Sequence, residues 1–376
     1  MADEKMAIVI DNSSCTTRVG FGGEDAPHVT FPSIVGHPKH YDPRVGKSWL
    51  HCSIGDDALV VKRNDLDLLY PIKNGIVTDW DEMHWIWDHI FNKAFAAETK
   101  GCPVLLSEPP LNPKANREKT TEVMFETFDV PALYMATQQV LALYSAGRTT
   151  GLVFDIGDGV SHAVPVDGGY SLPRAIVRLE LAGRNVTDHL GSLLKHRGCS
   201  FTTTDELEIL RKIKEQFCYV ATDFELELST ADSNTTSYEL PDGHCVDVGS
   251  ERFQAPECLF KPSLIGKPDM PGIHKITVDA IRKCGVELLA DLFRGIVLTG
   301  GSSLFSGIQK RMEKEIQSLE VSLTRARVSA TPECQLASWI GGSILASVTS
   351  SSKDMWISKE EYDETGPTIV HLKCFQ

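Results

Sequence analysis

The stretch that decides the fold is AIVIDNSSCTTRVGFGG, residues 7–23, whose first apolar run ends in Asp11. A turn of small polar residues follows, and then an arginine and a second apolar run. This order predicts a strand, a tight turn and a returning strand. The turn is typical of a loop that holds an anion, although it lacks the glycines that phosphate-binding loops usually contain.

The same layout occurs again in GLVFDIGDGVSHAVPVDGG, residues 151–169, where the first apolar run ends in Asp155. Two related stretches predict two related α/β halves, each opening with a hairpin that points an aspartate toward a common cleft. Facing hairpins can offer backbone N–H groups to a phosphate chain. Paired carboxylates beside phosphates are suited to holding a hydrated Mg²⁺ ion.

A third turn, Gly300-Gly301-Ser302-Ser303, lies between a predicted strand and a predicted helix. Glycines there let the backbone approach a phosphate or a flat ring closely. Each turn alone is more often an ordinary hairpin or loop. Three of them in one chain, two of them related, favour phosphate binding.

Composition sets the wider limits. The chain has 376 residues, which is long enough for two domains, and its net charge of −14 argues against nucleic-acid binding and favours basic or metal-linked partners. Ten cysteines without a C-x-x-C pair indicate a reduced, intracellular protein. The N-terminal apolar run is too short for a signal peptide, and no run is long enough to span a membrane.

Several elements can be predicted between these turns. Apolar residues at helical spacing predict a helix over residues 81–95, and a proline-rich loop with a helix is expected over residues 107–128. Residues 203–228 predict one long amphipathic helix, with a capping box formed by Thr203 and Glu206. A polar loop and hairpin are expected over residues 229–244.

Long segments of the chain resemble the actin family. They include FPSIVGHPKH, EPPLNPKANREKTTEVMFETFDVPALYMATQQVLALYSAGRTTG, DIGDGVSHAVPV, LAGRNVTDHL, IKEQFCYVATDFE, WIGGSILAS and MWISKEEYDETGPTIVHLKCF, and the resemblance runs essentially end to end. It implies the actin-like ATPase fold, shared with sugar kinases and heat-shock chaperone ATPases. This α/β fold has two duplicated halves, divided into four subdomains around a central nucleotide cleft.

The resemblance also implies subdomain limits. The expected ranges are 1–33, 71–145 and 339–376 for subdomain 1, 34–70 for subdomain 2, 146–181 and 271–338 for subdomain 3, and 182–270 for subdomain 4. Subdomain 2 includes a subunit-contact loop at residues 40–53. The implied location is the cytoplasm, within the cytoskeleton.

The resemblance assigns functional residues to positions in this sequence. Asp11 and Asp155 match carboxylates that position Mg²⁺ (or Ca²⁺ in vitro) through water, Gln138 matches the residue that orients the attacking water, and His162 matches a proton-relay position. The implied contacts to ATP or ADP are Ser13, Ser14, Cys15, Thr16, Arg18, Asp158, Gly159, Val160, Gly183, Arg184, Arg211, Lys214, Glu215, Gly300, Gly301, Ser302, Ser303, Phe305 and Gln335. Weak ATP hydrolysis of the actin type is the implied activity.

Several positions depart from the family pattern. The family's first phosphate loop reads Gly-Ser-Gly, whereas this chain has Ser13-Ser14-Cys15, with Arg18 in the place of a lysine. If these positions need positive φ, the added side chains cost about 1 kcal/mol each. Near the adenine, Gln335 and Leu336 replace a lysine and a tyrosine. The loss of one cation and one aromatic ring predicts weaker nucleotide binding, whereas the residues implied in hydrolysis are better kept. ATP binding is therefore expected to be retained, with weak hydrolysis.

Predicted partner contacts also differ from the family pattern. The subunit-contact loop carries Pro43, Arg44 and Lys47 where the family loop is apolar, although Trp49 lies close by, and a segment that crosses between filament strands keeps Leu264 and Ile265. The implied partners are further copies of this chain, conventional actin, or both. Actin-binding proteins are expected at a groove formed by Tyr144, Gly147, Thr149, Tyr170 and Met355.

Three functions remain open from the sequence. A divergent actin that forms or joins filaments is the first, and an actin-related subunit of a multiprotein cytoskeletal or nuclear complex that never polymerises is the second. A small-molecule kinase or chaperone-like ATPase on the same fold is the third. The third is disfavoured because no substrate-pocket signature or peptide-binding domain is present.

Overall fold

In the computed structural model, each predicted hairpin belongs to a six-stranded sheet. The structure describes residues 5–39, 52–60, 66–94, 100–230, 235–240, 243–320, 325–349 and 352–375. The chain divides into two units. Unit 1 comprises Met1–Thr149 and Leu336–Gln376, and unit 2 comprises Thr150–Gln335. The finer division into four subdomains stays a prediction.

The strands, in chain order, are β1 Ile8–Asn12, β2 Thr16–Phe21, β3 Val29–Pro32, β4 Val35–Pro38, β5 Ser53–Ile54, β6 Leu66–Leu69, β7 Ile72–Lys73, β8 Ile76–Val77, β9 Val104–Glu108, β10 Ala132–Thr137, β11 Gly151–Ile156, β12 Ser161–Asp167, β13 Tyr170–Ser171, β14 Val177–Leu179, β15 Thr236–Glu239, β16 Cys245–Val248, β17 Ile296–Thr299, β18 Val328–Ser329 and β19 Ile357–Ser358.

The α-helices are α1 Asp56–Val60, α2 Trp80–His89, α3 Lys114–Glu126, α4 Gln138–Ser145, α5 Gly183–His196, α6 Thr204–Phe217, α7 Phe224–Thr230, α8 Glu251–Glu257, α9 Ile273–Arg282, α10 Leu289–Arg294, α11 Ile308–Leu319, α12 Ala337–Thr349, α13 Lys359–Thr365 and α14 Val370–Lys373. A π-helical turn covers Ile90–Ala94, and 3₁₀ turns cover Pro173–Ala175, Pro262–Ile265, Gly301–Leu304, Lys353–Met355 and Pro367–Ile369.

The main sheet of unit 1 has the order β19-β10-β9-β1-β2-β3. Strand β1 is antiparallel to β2 and parallel to β9, and β9 is parallel to β10. Every residue of β1 is buried, which explains why its sequence is an apolar run rather than an alternating one. Parallel pairing brings the carboxyl ends of β1, β9 and β10 to one edge of the sheet.

The main sheet of unit 2 repeats this order. Strand β11 is antiparallel to β12 and parallel to β17, and β17 is parallel to β18. Both β13 and β14 pair with β12, in the place that β3 takes beside β2 in unit 1. The predicted duplication of the α/β fold is therefore confirmed, because each hairpin starts a sheet in which two further parallel strands follow its first strand. The edge strand β19 of unit 1 has no counterpart in the described sheet of unit 2.

Close packing of α12 on α4 closes the core of unit 1 beside its sheet. A Cβ atom on Gly341 would lie 1.7 Å from the carbonyl oxygen of Leu141, so only glycine allows this approach. Trp339 is fully buried, and its indole Nε1 donates a hydrogen bond of 3.1 Å to the carbonyl oxygen of Val9. Helix α12 is thereby fastened to the central strand.

The prediction of one helix over residues 203–228 was wrong. Helix α6 ends at Phe217, and Cys218 is extended, with φ −76° and ψ 147°. The next backbone groups bond to other elements instead. Val220 N–H donates to the carbonyl oxygen of Ser306 at 2.8 Å, and the carbonyl oxygen of Ala221 accepts a hydrogen bond from Arg311 Nη1 at 2.8 Å. These tertiary hydrogen bonds replace the helical ones before α7 begins.

Other local predictions are confirmed. The capping box of Thr203 and Glu206 is present at the start of α6. An antiparallel hairpin is also present, but its second strand, β16, lies just beyond the expected range of 229–244. The helix expected over residues 81–95 ends as α2 at His89 and continues as the π-helical turn, while Phe95 lies outside the described residues. No helix in the described ranges is long and apolar enough to cross a membrane.

Candidate functional site

The carboxylate of Asp11 is the centre of a polar cluster in unit 1. Asp11 is 2% exposed, and its Oδ1 accepts hydrogen bonds from Ser107 Oγ at 2.6 Å and Gln138 Nε2 at 3.0 Å. Its Oδ2 pairs with Arg18 Nη1 at 3.1 Å. The topology explains the cluster, because β1, β9 and the junction of β10 with α4 end at the same edge of the sheet.

The side-chain amide of Gln138 is held by this cluster. Its Nε2 also donates to the carbonyl oxygen of Asn12 at 2.9 Å, so the amide nitrogen faces acceptors only. In the described part of the chain, Oε1 of Gln138 has no hydrogen-bond partner from the protein. That oxygen is therefore available to accept a hydrogen bond from a water molecule.

The first turn is closed by its own side chains. Ser13 Oγ accepts from the backbone N–H of Thr16 at 3.1 Å and donates to the carbonyl oxygen of Thr16 at 2.9 Å. Ser14 Oγ accepts from the backbone N–H of Gly75 at 2.8 Å, and Cys15 is exposed. None of Ser13, Ser14 or Cys15 has a positive φ, so the strain considered for replacing glycine here does not arise.

Two buried polar atoms near this turn lack a protein partner. They are Arg18 Nε and Thr137 Oγ1, among the described residues. Buried donors are normally satisfied, so an oxygen-rich ligand such as a phosphate would complete them. Asp11 already accepts three hydrogen bonds, of roughly four that a carboxylate can accept. Its remaining capacity fits a bond from a water of a hydrated cation better than direct coordination.

The turn that follows β11 is fastened to the start of α5 within unit 2. Gly183 N–H donates to the carbonyl oxygen of Gly157 at 3.0 Å, and Arg184 N–H donates to the carbonyl oxygen of Asp158 at 2.7 Å. The side chains of Arg184 and Asp158 also pair at 2.7 Å. The turn itself closes through a hydrogen bond of 3.1 Å from Gly157 N–H to the carbonyl oxygen of Val160.

The third turn lies against Asp155. Gly300 has φ +85°, and a Cβ atom on it would lie 2.4 Å from Asp155 Oδ1 and 2.5 Å from the carbonyl oxygen of Ile156. Ser302 Oγ donates to the carbonyl oxygen of Gly157 at 3.2 Å. The glycine therefore allows the turn to approach the carboxylate more closely than any residue with a side chain could.

The ammonium group of Lys214 is buried in the same part of unit 2. Lys214 is 5% exposed, and its Nζ donates to the carbonyl oxygen of Gly183 at 3.3 Å. No carboxylate of the described residues lies within salt-bridge distance of it. Burial lowers the pKa of Lys214, although the negative charges of Glu215 and Asp158 oppose this. A buried ammonium with one carbonyl partner fits a site that receives an acceptor-rich ligand.

Other residues implied in adenosine binding are less closely grouped. Arg211 pairs with Glu208 at 2.6 Å and with Glu215 at 3.6 Å on the outer face of α6. Phe305 is buried in the hydrophobic core of unit 2. Gln335 is exposed, and its Nε2 is the nearest atom, at 3.9 Å, to a Cβ built on Gly301. Of these, Phe305 directly follows the 3₁₀ turn Gly301–Leu304, and Gln335 lies beside Gly301.

His162 lies on β12 opposite Asp155 of β11, with Arg178 of β14 on its other side. Burial and, to a smaller extent, the positive charge of Arg178 lower its pKa to about 4. The imidazole is therefore neutral at physiological pH. A neutral imidazole can accept a proton, which is the first half of a relay.

The comparison with protein-family models matches residues 2–375 to the actin family. The chain belongs to the actin family. The match spans both units, and the mixed α/β fold with its duplicated sheets agrees with it. The resemblance found in the sequence is thereby confirmed for essentially the whole chain.

Sequence reasoning missed three residues that lie beside predicted site residues, two in unit 1 and one in unit 2. Ser107 donates to Asp11, Thr137 has a buried hydroxyl next to Gln138, and Cys334 accepts hydrogen bonds from Thr299 and Ser303. The usable signal for Ser107 and Thr137 was their position at the ends of buried strands. Cys334 carried no such signal, because it lies in a loop.

The residues predicted for the partner groove of this actin-family chain belong partly to unit 1 and partly to unit 2. Tyr144 and Met355 pack, partly buried, against the hydrophobic cluster of Trp339 in unit 1, whereas Tyr170 of unit 2 is 60% exposed. Leu264 is also exposed, on the 3₁₀ turn Pro262–Ile265, which ends at Gly266 in the left-handed conformation. The tip of the subunit-contact loop, residues 40–51, lies outside the described residues.

Gly300→Ala is expected to destabilise the protein much more than a matched glycine replacement. Gly198 has φ +91° with nothing within 4 Å of a built Cβ, so Gly198→Ala should cost about 1 kcal/mol from backbone conformation alone. Gly300→Ala should cost roughly 1–3 kcal/mol more, because its Cβ overlaps Asp155 and Ile156. Chemical denaturation measures both, and equal losses would contradict the close packing of this turn.

Between pH 7 and pH 5, the free energy of unfolding of His162→Gln is expected to fall less than that of the wild type. The pKa of His162 is about 4 in the folded protein and ordinary, about 6.5, when unfolded, so the unfolded chain binds more protons between these values. The contribution of His162 to the free energy of unfolding is therefore fully present above pH 6.5 and falls as the pH falls, by about 2 kcal/mol at pH 5. Unfolding free energies of both proteins at pH 5 and pH 7 test this, and parallel losses would contradict it.

Proposed function

We propose that this actin-family chain binds ATP or ADP together with Mg²⁺, for which Ca²⁺ can substitute in vitro. The observation that carries this proposal is the buried ammonium of Lys214, which has a carbonyl partner and no carboxylate partner among the described residues. The buried Nε atom of Arg18 in unit 1, which has no hydrogen-bond partner among the described residues, also supports the proposal. Both cations are suited to phosphate oxygens.

The residues present fit a divalent cation held through water. Asp11 and Asp155 would accept hydrogen bonds from the waters of the cation, which neutralises phosphate charge when bound. Gln138 would position a water through its available Oε1, and neutral His162 would accept a proton. Slow ATP hydrolysis of the actin type would then depend on Gln138 and His162. Gln335 and Leu336, which offer neither a cation nor an aromatic ring near the base, would weaken the binding of the nucleotide.

We further propose that the chain forms filaments or joins those of conventional actin, as part of the cytoskeleton in the cytoplasm. The family supports an actin-type protein, and the exposed Leu264 and Tyr170 supply apolar surface for partners. Actin-binding proteins would dock near Tyr144, Gly147, Thr149, Tyr170 and Met355. The charged residues of loop 40–53 would reduce the apolar part of the contact between neighbouring subunits.

Two measurements on one purified sample test these proposals. Chromatography of the denatured protein should release stoichiometric adenine nucleotide, and protein without nucleotide would overturn the first proposal. Sedimentation and electron microscopy in polymerising salt with Mg-ATP should show filaments of the chain alone or mixed with conventional actin. A monomer in both mixtures that purifies with stoichiometric non-actin partners would identify a non-polymerising subunit of a complex.

A further inference from the structure

A cysteine, a histidine and a glutamate form a hydrogen-bonded series in unit 1, apart from the Asp11 cluster. Cys52 Sγ lies 3.5 Å from His37 Nδ1, and His37 Nε2 lies 2.8 Å from Glu82 Oε2. Three elements bring them together. His37 is on β4, Cys52 directly precedes β5, whose Ser53 pairs with Gly36, and Glu82 is in the first turn of α2.

The glutamate orients the imidazole. Glu82 is 9% exposed, and its backbone N–H is capped by Asp79 Oδ1 at 3.2 Å, so its position is fixed by the start of α2. A carboxylate accepts, so the ring proton lies on Nε2 and the lone pair of Nδ1 is left for the thiol. A nucleophile, a base and a group that orients the base are the parts of an activated nucleophile.

The charges around Cys52 make this base necessary. Burial and the negative charge of Glu82 raise the pKa of the Cys52 thiol, and Lys93 of the π-helical turn lowers it. Thiolate is therefore scarce at neutral pH unless a neighbouring group takes the proton. His37 is partly exposed, with a third of its side chain accessible, so the series is open to solvent at one side.

We propose that Cys52 is a thiol–disulfide exchange site, activated by His37 and Glu82, that reacts with small anionic disulfides such as oxidised glutathione. His37 Nδ1 takes the thiol proton while Sγ attacks one sulfur of the disulfide. A new S–S bond forms, the old one breaks, and the leaving thiolate takes the proton from His37. The Cys52 sulfur is oxidised and the released thiol is reduced. Lys93 favours an anionic partner through its charge.

Peptide mapping of the full chain during exposure to limiting oxidised glutathione tests this proposal. Cys52 should form the mixed disulfide faster than Cys245, although Cys245 is exposed and Cys52 only partly so. His37→Gln should slow the reaction at Cys52 by at least about 100-fold, the range of general-base catalysis, and leave the rate at Cys245 unchanged. His28→Gln is the matched control, since His28 pairs with Glu24 at 2.7 Å on the surface.

Two further measurements separate activation from a structural role. With a neutral disulfide, hydroxyethyl disulfide, the slowing by His37→Gln should persist, because it reflects proton transfer and not charge. In His37→Gln the rate should keep rising into the alkaline range, as the unassisted thiol ionises. Glu82→Gln, which keeps the side-chain size, should also slow Cys52 if His37→Gln unfolds. Equal rates at Cys52 in the wild type, Glu82→Gln and His28→Gln would overturn the proposal.

Discussion

Lys214→Met is expected to weaken ATP binding by about 10- to 100-fold, the loss of one charge-assisted hydrogen bond to a phosphate or ribose oxygen. Methionine has similar length and keeps the packing of α6, so the change isolates the charge. The nucleotide-free protein should be no less stable, because burying an ammonium with one carbonyl partner is unfavourable. Titration of nucleotide-free protein with a fluorescent ATP analogue gives both dissociation constants.

Lys212→Met is the matched control, since Lys212 is exposed on the same helix. It should leave nucleotide affinity unchanged. The nucleotide-free wild type should also gain stability as pH rises toward the ordinary lysine range, because the pKa of Lys214 is lowered in the folded state and the unfolded chain binds more protons there. Equal affinities of the wild type and Lys214→Met would contradict the assignment of this ammonium to a ligand.

Arg117→Met is expected to lower the free energy of unfolding by about 3–5 kcal/mol, the usual cost of removing one charge of a buried ion pair. Arg117 Nη2 lies 2.9 Å from Glu108 Oε1, and their side chains are only 5% and 1% exposed. The same Nη2 donates to the carbonyl oxygen of Cys374 at 2.6 Å. The variant therefore loses an ion pair and one of the hydrogen bonds that hold the C-terminal segment to α3, whereas the contact of His371 with Glu118 at 2.8 Å remains.

Urea denaturation followed by tryptophan fluorescence measures this effect. Lys119→Met is the control, because Lys119 and Glu122 pair at 3.1 Å on the surface and such pairs contribute about 0–1 kcal/mol. Adding Glu108→Gln to Arg117→Met should recover part of the loss, since the buried carboxylate charge is then removed. A loss no larger than that of Lys119→Met would show that the ion pair is not needed.

Much of the fold was predictable because its signals are local. The β1–β2 and β11–β12 hairpins follow from apolar runs around short polar turns, and the capping box at Thr203 needs only residues within one helical turn. The repeat between the hairpins predicted the duplication, and the family match confirms the α/β fold. The placement of the nucleotide contacts in each unit stays a prediction from the resemblance.

Long-range contacts account for what sequence reasoning missed. Helix α6 ends at Phe217 because Val220 and Ala221 bond to Ser306 and Arg311. The apolar spacing of the sequence continues through this break, because Val220 is buried in the core although it is not helical. The strain considered at Ser13 and Cys15 does not arise, because the turn closes without positive φ. No periodicity could reveal either fact.

The sequence by itself determined the family, the duplicated hairpins and the aspartate at the end of each first strand, since these depend on residue type and near neighbours. Tertiary structure alone decided the protonation and partnering of the functional groups. Asp11 is held by Ser107, Gln138 and Arg18, His162 is neutral, and Lys214 is buried with one carbonyl partner. The physical reason is that hydrogen bonds and desolvation depend on distances between segments far apart in the chain. The turn in residues 7–23, which the sequence predicted to hold an anion, is thus an unstrained loop closed by hydrogen bonds of Ser13.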